Sequence, residues 1–467
     1  MKQTDQKYNC DVCGSQIEVL RGGEGNLMCC GENMKLVMEQ AVDNDMVKKV
    51  PIFDMMKIRP VSDVAGTAPL IAEKPNVTAL KDLLIYVLTG LSQVVLFGQK
   101  SDITDHRINR FTVKALFSTL TDVNYDPDRF FKLIHEAVLL RDTLKLKIRT
   151  NLIEGFLPDG PARFMPSSGL EKMIKIGESV GMQNYRSDTP DITLLKQTAL
   201  YGIKWLSAYA DHALRIDQED DRVYAFIHEG LAAVQRTDLT LEDGVKLSLK
   251  CGKIVLMAVE MLNSGMIQAY GRPIPTKVQF GVKKGKAILV SGYDLKNLEH
   301  LLKQTQEKGI TVYTHGEMLC AHAYPKLKKF SHFFGQFGVD RLKQISDFST
   351  FPGAILMTTR CSQRPKKTIQ NNIFTSGMVG WPGIHHISGF SFQPLIDKAL
   401  SLPGFLEDKV QGEVMVGLAE NAVLNVADIL PGLSAPAFLS ENILGTLVKS
   451  FDIKPVTWPD SVQIQPV

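Results

Sequence analysis

The fold of the second half of the chain is decided by one stretch, KAILVSGYDLKNLEHLLKQTQEKGITVYT, which occupies residues 286–314. Residues 287–291 form a short apolar run typical of a buried strand, and residues 310–314 form a second one. Between them, Asp294 is placed to cap an amphipathic helix that ends at Lys308-Gly309. The apolar side of that helix is Leu295, Leu298, Leu301 and Leu302. A strand, a helix and a strand at this spacing predict a parallel sheet with crossover helices.

Two further strands are predicted, at residues 354–359 and at residues 373–376. Ligands of open parallel sheets bind beyond the carboxyl ends of the strands. The ends of the first three strands carry possible ligands and acid–base groups, namely Gly292-Tyr293-Asp294, His315-Gly316-Glu317 and Arg360-Cys361. Similar groups follow the second and fourth strands: Cys320, His322, Trp381 and the pair His385-His386. These ends are the best candidate site in this half of the chain. The alternative is that they are ordinary loop residues, with Asp294 only a helix cap.

The first thirty residues hold four of the seven cysteines, at Cys10, Cys13, Cys29 and Cys30. Four sulfurs in one short, glycine-rich stretch can close a tetrahedral shell around zinc or iron. So short a segment cannot bury enough apolar surface to fold alone, so metal binding would supply its folding free energy. The alternative is two disulfides or idle thiols, but the other three cysteines are scattered and nothing marks the chain as secreted.

Between these two regions, residues 78–270 have the periodicity of helices. Thr78 can cap a helix, and Asp126-Pro127 can start another. The apolar stripe of the first helix is Leu80, Leu83, Leu84, Val87, Leu88, Leu91, Val94 and Val95. Further stripes predict one or two helix bundles. The histidines of this region are most simply surface or hydrogen-bonded core residues, and Cys251 is a small buried apolar residue.

The composition narrows the class of protein. The chain has 467 residues, a net charge of +3 and 44% hydrophobic residues, which predicts about three domains and an ordinary globular core. No basic patch favours a nucleic-acid partner. There is no secretory leader, and the most apolar stretch, residues 83–97, carries Ser92 and Gln93, so we expect neither export nor a membrane span. Reduced thiols favour a cytoplasmic location.

These patterns predict a multidomain chain with four parts. Residues 1–40 form a small metal-bound domain, and residues 41–77 are a linker. Residues 78–285 form an α-helical bundle domain. Residues 286–467 form an α/β domain with a parallel, Rossmann-like sheet.

The strings around the four cysteines carry a resemblance. YNCDVCG at residues 8–14 and LMCCGENM at residues 27–34 are similar to desulforedoxin and to the N-terminal domain of desulfoferrodoxin. The adjacent pair Cys29-Cys30 is the discriminating feature, because two neighbours can reach one metal only through a tight bend, which Gly31 permits. The resemblance implies one iron ion on four thiolates, whereas the spacing alone leaves zinc as the alternative. Such a closed centre passes single electrons and has no open position for a substrate.

The rest of the chain, from about Leu80 onward, resembles the hybrid cluster protein (prismane) family, which is related to carbon monoxide dehydrogenase. ILVSGYDL at residues 288–295 and VYTHGEMLCAHAYP at residues 312–325 are similar to the family strings ILVSGHDL and VYTHGEMLPAHGYP. Further strings agree in order, namely KALFSTL at 114–120, YADH at 209–212, YGRPIPT at 270–276, FPGAILMTTRC at 351–361 and GWPG at 380–383. The family implies hydroxylamine reduction, a link to nitric oxide defence, and an iron–sulfur–oxo cluster held by one His, two Glu and four Cys.

The chain departs from that ligand set. Glu317 matches the first family glutamate and Cys361 the first cluster cysteine, but Tyr293 stands where the family has its histidine. No cysteine follows Cys361, so three thiolates have no counterpart and the hybrid cluster is predicted to be absent. Strings after residue 417 resemble the exit helix of the family's second domain and then its C-terminus. The third domain is therefore predicted to be excised, with the ends rejoined at about residues 429–432.

Two functions follow from these observations. The first is a redox protein that passes electrons from the N-terminal iron to a redox partner, or to a reductase site at Tyr293, Glu317 and Cys361. Cys320, His315 and His322 could complete that site. The second is a non-catalytic scaffold that senses redox state or binds a partner. Whether the chain is an enzyme stays open. Loss of a domain would expose apolar surface, which favours a homo-oligomer, with a dimer the simplest.

Overall fold

The computed structural model describes residues 75–100, 102–148, 160–181, 189–338, 343–359 and 365–417, and, ahead of these, five short strands within residues 7–36. The chain divides into two compact units, Met1–Leu70 and Ile71–Val467. Cys361 and the predicted junction at residues 429–432 lie outside the described residues. The finer domain boundaries at residues 40, 77 and 285 stay predictions.

The first unit contains five short strands. They are β1 (Lys7–Asn9), β2 (Gln16–Glu18), β3 (Met28–Cys29), β4 (Glu32–Asn33) and β5 (Lys35–Leu36). β1 pairs antiparallel with both β2 and β5, and β3 pairs antiparallel with β4. In the second of these pairs, Cys29 lies opposite Glu32.

Seven α-helices come first among the described residues of the second unit. They are α1 (Pro75–Gln99), α2 (His106–Phe117), α3 (Pro127–Lys147), α4 (Leu170–Val180), α5 (Pro190–Leu214), α6 (Asp221–Val234) and α7 (Leu241–Tyr270). Asp126 caps α3 by accepting from the Asp128 amide at 3.0 Å, as the sequence predicts. The predicted cap at Thr78 is wrong, because α1 begins three residues earlier, at Pro75, which is suited to the first turn of a helix.

All eight residues of the predicted stripe of α1 are buried in the core of the bundle. By length and apolar composition, Asn76–Gln99 would also pass for a membrane span, contrary to the expectation from residues 83–97 alone. Most of this segment is buried against the other helices, which is equally typical of a core helix. The absence of a membrane partner therefore stays a prediction.

The unit continues with strands and shorter helices. They are β6 (Thr276–Gln279), β7 (Lys286–Ser291), α8 (Leu295–Thr305), β8 (Ile310–His315), α9 (Pro325–Lys328), β9 (Phe333–Gln336), α10 (Gln344–Thr350), β10 (Ala354–Met357), β11 (Ile373–Ser376), β12 (His385–Ile387), α11 (Gln393–Ser401) and β13 (Glu413–Val416). Eight strands form one sheet in the order β12-β11-β10-β7-β8-β9-β6-β13. All pairs are parallel except β13 with β6, so the sheet is mixed.

The two faces of the sheet are buried in separate clusters. Ile288 and Val290 of β7 face a cluster that includes α8, α11 and the last residues of α5 and α7. Leu289, between them, faces a second cluster with Phe348 of α10 and Phe405. Because residues alternate between faces, a strand buried on both sides is apolar throughout, as the sequence suggested for β7. The ends of α5 and α7 therefore pack beside the strands that carry the candidate site.

Candidate functional site

The chain turns sharply where β7 ends. Gly292 has a backbone φ of +111°, and a Cβ there would lie 2.4 Å from the Thr358 hydroxyl oxygen and 2.5 Å from that of Thr359. The Tyr293 amide donates to the Thr359 hydroxyl at 3.1 Å, and the Thr358 amide donates to the Ser291 carbonyl at 3.0 Å. Only glycine fits between the ends of β7 and β10. This turn sets the position of Tyr293.

The ring of Tyr293 lies against the helical bundle. Its centroid is 4.8 Å from that of His212 on α5, at an interplanar angle of 46°. His212 is buried and meets Phe117, the last residue of α2, at 5.6 Å. An aromatic row therefore connects two helices of the bundle to the end of β7.

Arg215 ties α5 to the same turn. Its Nε donates to Asp211 Oδ2 at 2.8 Å, and its Nη1 donates to Asp294 Oδ2 at 2.6 Å. Both carboxylates are buried. Burial acts to lower the pKa of Arg215, but the charges of Asp294 and Asp211 outweigh it and raise that pKa well above its usual value. A permanent positive charge therefore lies between two buried carboxylates.

Asp294 is also the cap of α8, as the sequence predicts. It accepts from the Asn297 amide at 3.0 Å and from the Asn297 side-chain Nδ2 at 2.7 Å. The same Nδ2 donates to Ser376 Oγ at 3.1 Å, at the end of β11. The helix ends at Thr305 rather than at Lys308-Gly309. The alternative interpretation of Asp294 as a helix cap is therefore correct, although the same carboxylate also joins α5 and β11 to the end of β7.

One buried oxygen of this network has no hydrogen-bond partner. It is Oδ1 of Asp211, whose side chain is fully buried in the described part of the chain. Buried carboxylate oxygens are normally satisfied by a protein donor, an ordered water or a ligand. The site therefore has an acceptor available beside the end of β7.

Glu317 follows the neighbouring strand β8. Ser291 and His315 pair across the sheet, so Tyr293 and Glu317 each lie two residues beyond a paired strand end. Glu317 belongs to a 3₁₀ segment, Gly316–Ala323, in which the Cys320 thiol donates to the Glu317 carbonyl at 3.3 Å. Burial, assisted by the charge of Glu317, raises the pKa of Cys320 to about 11, so the thiol is protonated at neutral pH.

The two histidines proposed to complete the site are held by other protein groups. His315 contacts the Ser291 hydroxyl through Nδ1 at 3.0 Å and Asp347 Oδ2 through Nε2 at 3.4 Å. His322 contacts the Thr314 hydroxyl through Nε2 at 2.9 Å and stacks on Phe333. Burial lowers the pKa of His322 to about 3, so it is neutral. Both rings support β8 and its neighbours rather than standing free at the edge.

The groups after the fourth strand are engaged by other parts of the described chain. Trp381 packs on Tyr125 at 4.3 Å, and His386 lies within β12, where its Nδ1 contacts the Thr375 hydroxyl at 3.0 Å. His385 lines a shallow groove of about 640 Å³ with the start of β11 and with α11. That groove lies at the amino ends of these strands, away from the carboxyl edge.

No three His, Cys, Asp or Glu side chains are grouped as a possible metal site in the described residues. The structure brings Tyr293 and Glu317 to neighbouring strand ends, while Cys361 lies outside the described residues. Of the described cysteines, Cys251 is buried between helices and its pKa is raised to about 11 by burial. Cys320 is the only other described cysteine of this unit.

The four N-terminal cysteines form a separate donor set. Four thiolates suit tetrahedral iron or zinc, and one of the four cysteines, Cys29, ends β3. Cys10, Cys13 and Cys30 lie outside the described residues, as do all four side chains.

Sequence reasoning did not find Asp211 and Arg215. Their spacing of four residues on a helix is also typical of a surface ion pair. The only available signal was position, since Asp211 stands in the last turn of α5 and Arg215 directly follows this helix, which ends beside the sheet. Arg215 reaches Asp294, which is 79 residues further along the chain.

The comparisons with known proteins agree with this architecture. Residues 72–429 match the model of the Prismane/CO dehydrogenase family, and residues 2–37 match that of the desulfoferrodoxin N-terminal domain. Among the relatives, proteins named hydroxylamine reductase are 50% identical in Syntrophobacter fumaroxidans and 47% identical in Methanocella arvoryzae. Each match covers 76% of this chain and 66% of the relative, so the chain spans just under two thirds of their length. A hydroxylamine reductase of Geobacter metallireducens is 39% identical over 82% of this chain and 70% of its own length. The chain therefore belongs to the Prismane/CO dehydrogenase family and carries a desulfoferrodoxin N-terminal domain before its family region.

Proposed function

We propose that this chain is an iron redox protein that passes single electrons through a four-cysteine iron centre near its N-terminus. One observation carries the proposal. Four cysteines lie inside a segment that matches the desulfoferrodoxin N-terminal domain, and a prismane-family body follows in the same chain. Iron bound by four thiolates supplies one-electron transfer and leaves no position for a substrate. Zinc in the same shell would give only a structural centre.

The second half of the proposal concerns the prismane-family region, which we call the body. Tyr293 and Glu317 stand beyond neighbouring strand ends, and Cys361 follows the next strand, so we infer a small reductase site there. The relatives' name suggests hydroxylamine as the substrate class. Its reduction takes two electrons and two protons and gives ammonia and water. A one-electron centre would therefore deliver its electron twice for each substrate.

The iron–sulfur–oxo cluster that the family resemblance implies is not part of this proposal. By resemblance it requires four thiolates, of which only Cys361 has a counterpart here, and Tyr293 replaces the histidine. Cys251 lies in the helical bundle, and Cys320 is held as a protonated thiol. Neither supplies the missing set, so we infer that any metal at the strand ends is mononuclear or dinuclear.

The experiment follows the N-terminal iron by its visible absorption under anaerobic conditions. The protein is reduced with dithionite, freed of excess reductant and mixed with hydroxylamine. We expect the iron to be reoxidised, with one ammonium formed for every two electrons consumed. Cys13→Ser should lose the absorption, while Glu317→Gln should keep it and react at least about tenfold more slowly. Glu136→Gln, an exposed substitution on α3, is the control and should match the wild type.

Two results separate the parts of the proposal. An N-terminal iron that is reduced and reoxidised without the formation of ammonium would contradict the reductase site but support the role of electron carrier. A protein that binds no iron at the N-terminus would contradict both.

A second function is favoured by one observation, the absence of a three-ligand metal group among the described residues of the body. In that case the body is a scaffold whose partner binding depends on the oxidation state of the N-terminal metal. Such a scaffold would show no specific binding of hydroxylamine. Its oligomeric state would change between the oxidised and the reduced protein.

A further inference from the structure

α7 has an apolar stripe on the side that faces away from the core. Leu241, Val245, Leu249 and Leu256 are between 43% and 65% exposed, although they are large apolar residues. Their spacing of four, four and seven keeps them on one side of the helix. Gly252 stands within this stripe, and a Cβ built there would meet nothing within 4 Å. The stripe is therefore open along about four turns.

The neighbouring helix α5 extends the same surface. α5 and α7 run parallel, because close contacts join Leu195 to Gly244 and Gly202 to Cys251, each pair separated by 49 residues. At about 100° per residue, Tyr201 and Trp205 of α5 then project on the same side of the helix pair as the stripe of α7. They are 58% and 38% exposed. We call the six exposed side chains together the α5–α7 face.

The size of this face is informative. Six large side chains exposed to this degree present on the order of 500–600 Å² of apolar surface, which is the upper end for a monomeric protein. A standard interface buries about 800 Å² on each partner. The α5–α7 face therefore supplies most of one half of a stable interface before any flanking polar residue is counted.

We propose that a second copy of this chain covers the α5–α7 face, in an antiparallel two-fold contact centred on Leu249. The stripe of α7 is nearly symmetric about that residue. A two-fold axis beside Leu249, between residues 248 and 249, brings Leu249 next to its own copy, Val245 against Gly252 of the partner subunit, and Leu241 against Leu256 of the partner subunit. The open space at Gly252 receives a side chain of the partner, which explains why a helix interior carries glycine there.

The flanking charges fit the same arrangement. Glu242 and Lys253 lie on the edge of the stripe towards opposite ends of α7. In the antiparallel contact, Glu242 comes within one helical turn of Lys253 of the partner subunit. Glu242 already pairs with Lys246 in its own chain, whereas no ion pair is found for Lys253 among the described residues, so the Lys253 ammonium is available to extend this pair across the contact. The contact uses no residue of the candidate redox site and does not depend on the proposed function.

The first experiment measures the mass of the full-length, metal-loaded protein by sedimentation and by light scattering. We expect a dimer. Leu249→Glu should raise the dissociation constant at least about a hundredfold, because the two-fold axis would bury two unpaired carboxylates. The matched control is Leu139→Glu on α3, since Leu139 is 67% exposed but lies on another helix. It should remain dimeric, and circular dichroism should show that both variants are folded.

The second experiment tests the axis itself. Leu249→Cys should crosslink to itself with a short bis-maleimide, giving a peptide that joins two copies of residue 249. Leu139→Cys should not crosslink. A monomeric wild type would overturn the proposal. A dimer that Leu249→Glu leaves intact would also overturn it. This includes a dimer that is lost when Cys13→Ser removes the N-terminal metal, because the contact would then belong to the first unit.

Discussion

At the scale of single residues, the position of Tyr293 depends on Gly292. Its φ of +111° and the two hydroxyl oxygens within 2.5 Å of a Cβ leave no room for a side chain. We expect Gly292→Ala to lower the free energy of unfolding by about 1–3 kcal/mol, from backbone strain and displaced threonines. Urea unfolding measures this. Gly309→Ala is the control, since Gly309 has a φ of +66° but open space, and it should cost only about 1 kcal/mol.

The buried charge network makes the second prediction at this scale. Arg215→Leu would leave Asp211 and Asp294 buried without their cation, and we expect a loss of about 3–5 kcal/mol in the free energy of unfolding. Arg222→Leu is the matched control. Arg222 pairs with Asp220 at the surface, and such a pair contributes at most about 1 kcal/mol. Equal losses in the two variants would contradict the role given to Arg215.

His228 gives a prediction about pH. Its Nδ1 contacts the Ser92 hydroxyl at 2.9 Å and its Nε2 contacts Asn109 at 3.1 Å, and burial lowers its pKa from 6.5 to about 4. The unfolded chain takes up a proton below pH 6.5 while the folded chain does not. The contribution of His228 to stability is therefore complete above pH 6.5. As the pH falls from 6.5 towards 4, the free energy of unfolding decreases by about 1.4 kcal/mol per pH unit.

The measurement is the urea midpoint of the helical signal at pH 7.5 and pH 5.0. His228→Gln should be less stable than the wild type at pH 7.5 but should change less between the two pH values. Ser179→Ala, which removes no titratable group and lies at an exposed position, should keep the full wild-type dependence. An unchanged pH dependence in His228→Gln would show that this histidine is not the group responsible.

At the scale of elements, α1 and α4 approach closely at Gly177. A Cβ at that position would lie 2.0 Å from the Ala79 carbonyl oxygen, which is backbone and cannot rotate away. We expect Gly177→Ala to cost about 1–3 kcal/mol in thermal or urea unfolding, although alanine is the better helix former. Ser179→Ala, exposed on the same helix, should have no such cost. A stabilised Gly177→Ala would mean that the two helices are further apart.

The elements that the sequence predicted are those with a strong local pattern. β7, α8, β8, β10 and β11 have apolar runs or helical stripes with caps, and the structure confirms them with small shifts at their ends. β6, β9 and β13 were missed because they are short and form through distant pairing. Gly335 of β9 is an example. β6 passes so close to it that a Cβ would lie 2.4 Å from the Gln279 carbonyl oxygen, so only glycine fits there. His385 and His386 follow the fourth predicted strand as expected, and they also begin a further strand, β12, which the sequence did not predict.

At the scale of the whole molecule, the family could be predicted because long strings survive in order. The candidate site could be predicted only in part. Because neighbouring parallel strands end at the same edge of a sheet, Tyr293 and Glu317 could be placed together from the sequence. The residues that pack against this edge come from the helical bundle. Asp211, His212 and Arg215 precede β7 by about seventy residues, and no local pattern indicates that they meet its end.

We propose that the chain carries one thiolate-bound iron near its N-terminus and no cluster as large as the one that the family resemblance implies. The most direct test is the count of iron, zinc and acid-labile sulfide per chain in protein purified without oxygen. We expect one iron that disappears in Cys13→Ser, at most one or two further metal ions that depend on Glu317, and no sulfide. Several irons with stoichiometric sulfide, retained in Cys13→Ser, would contradict it.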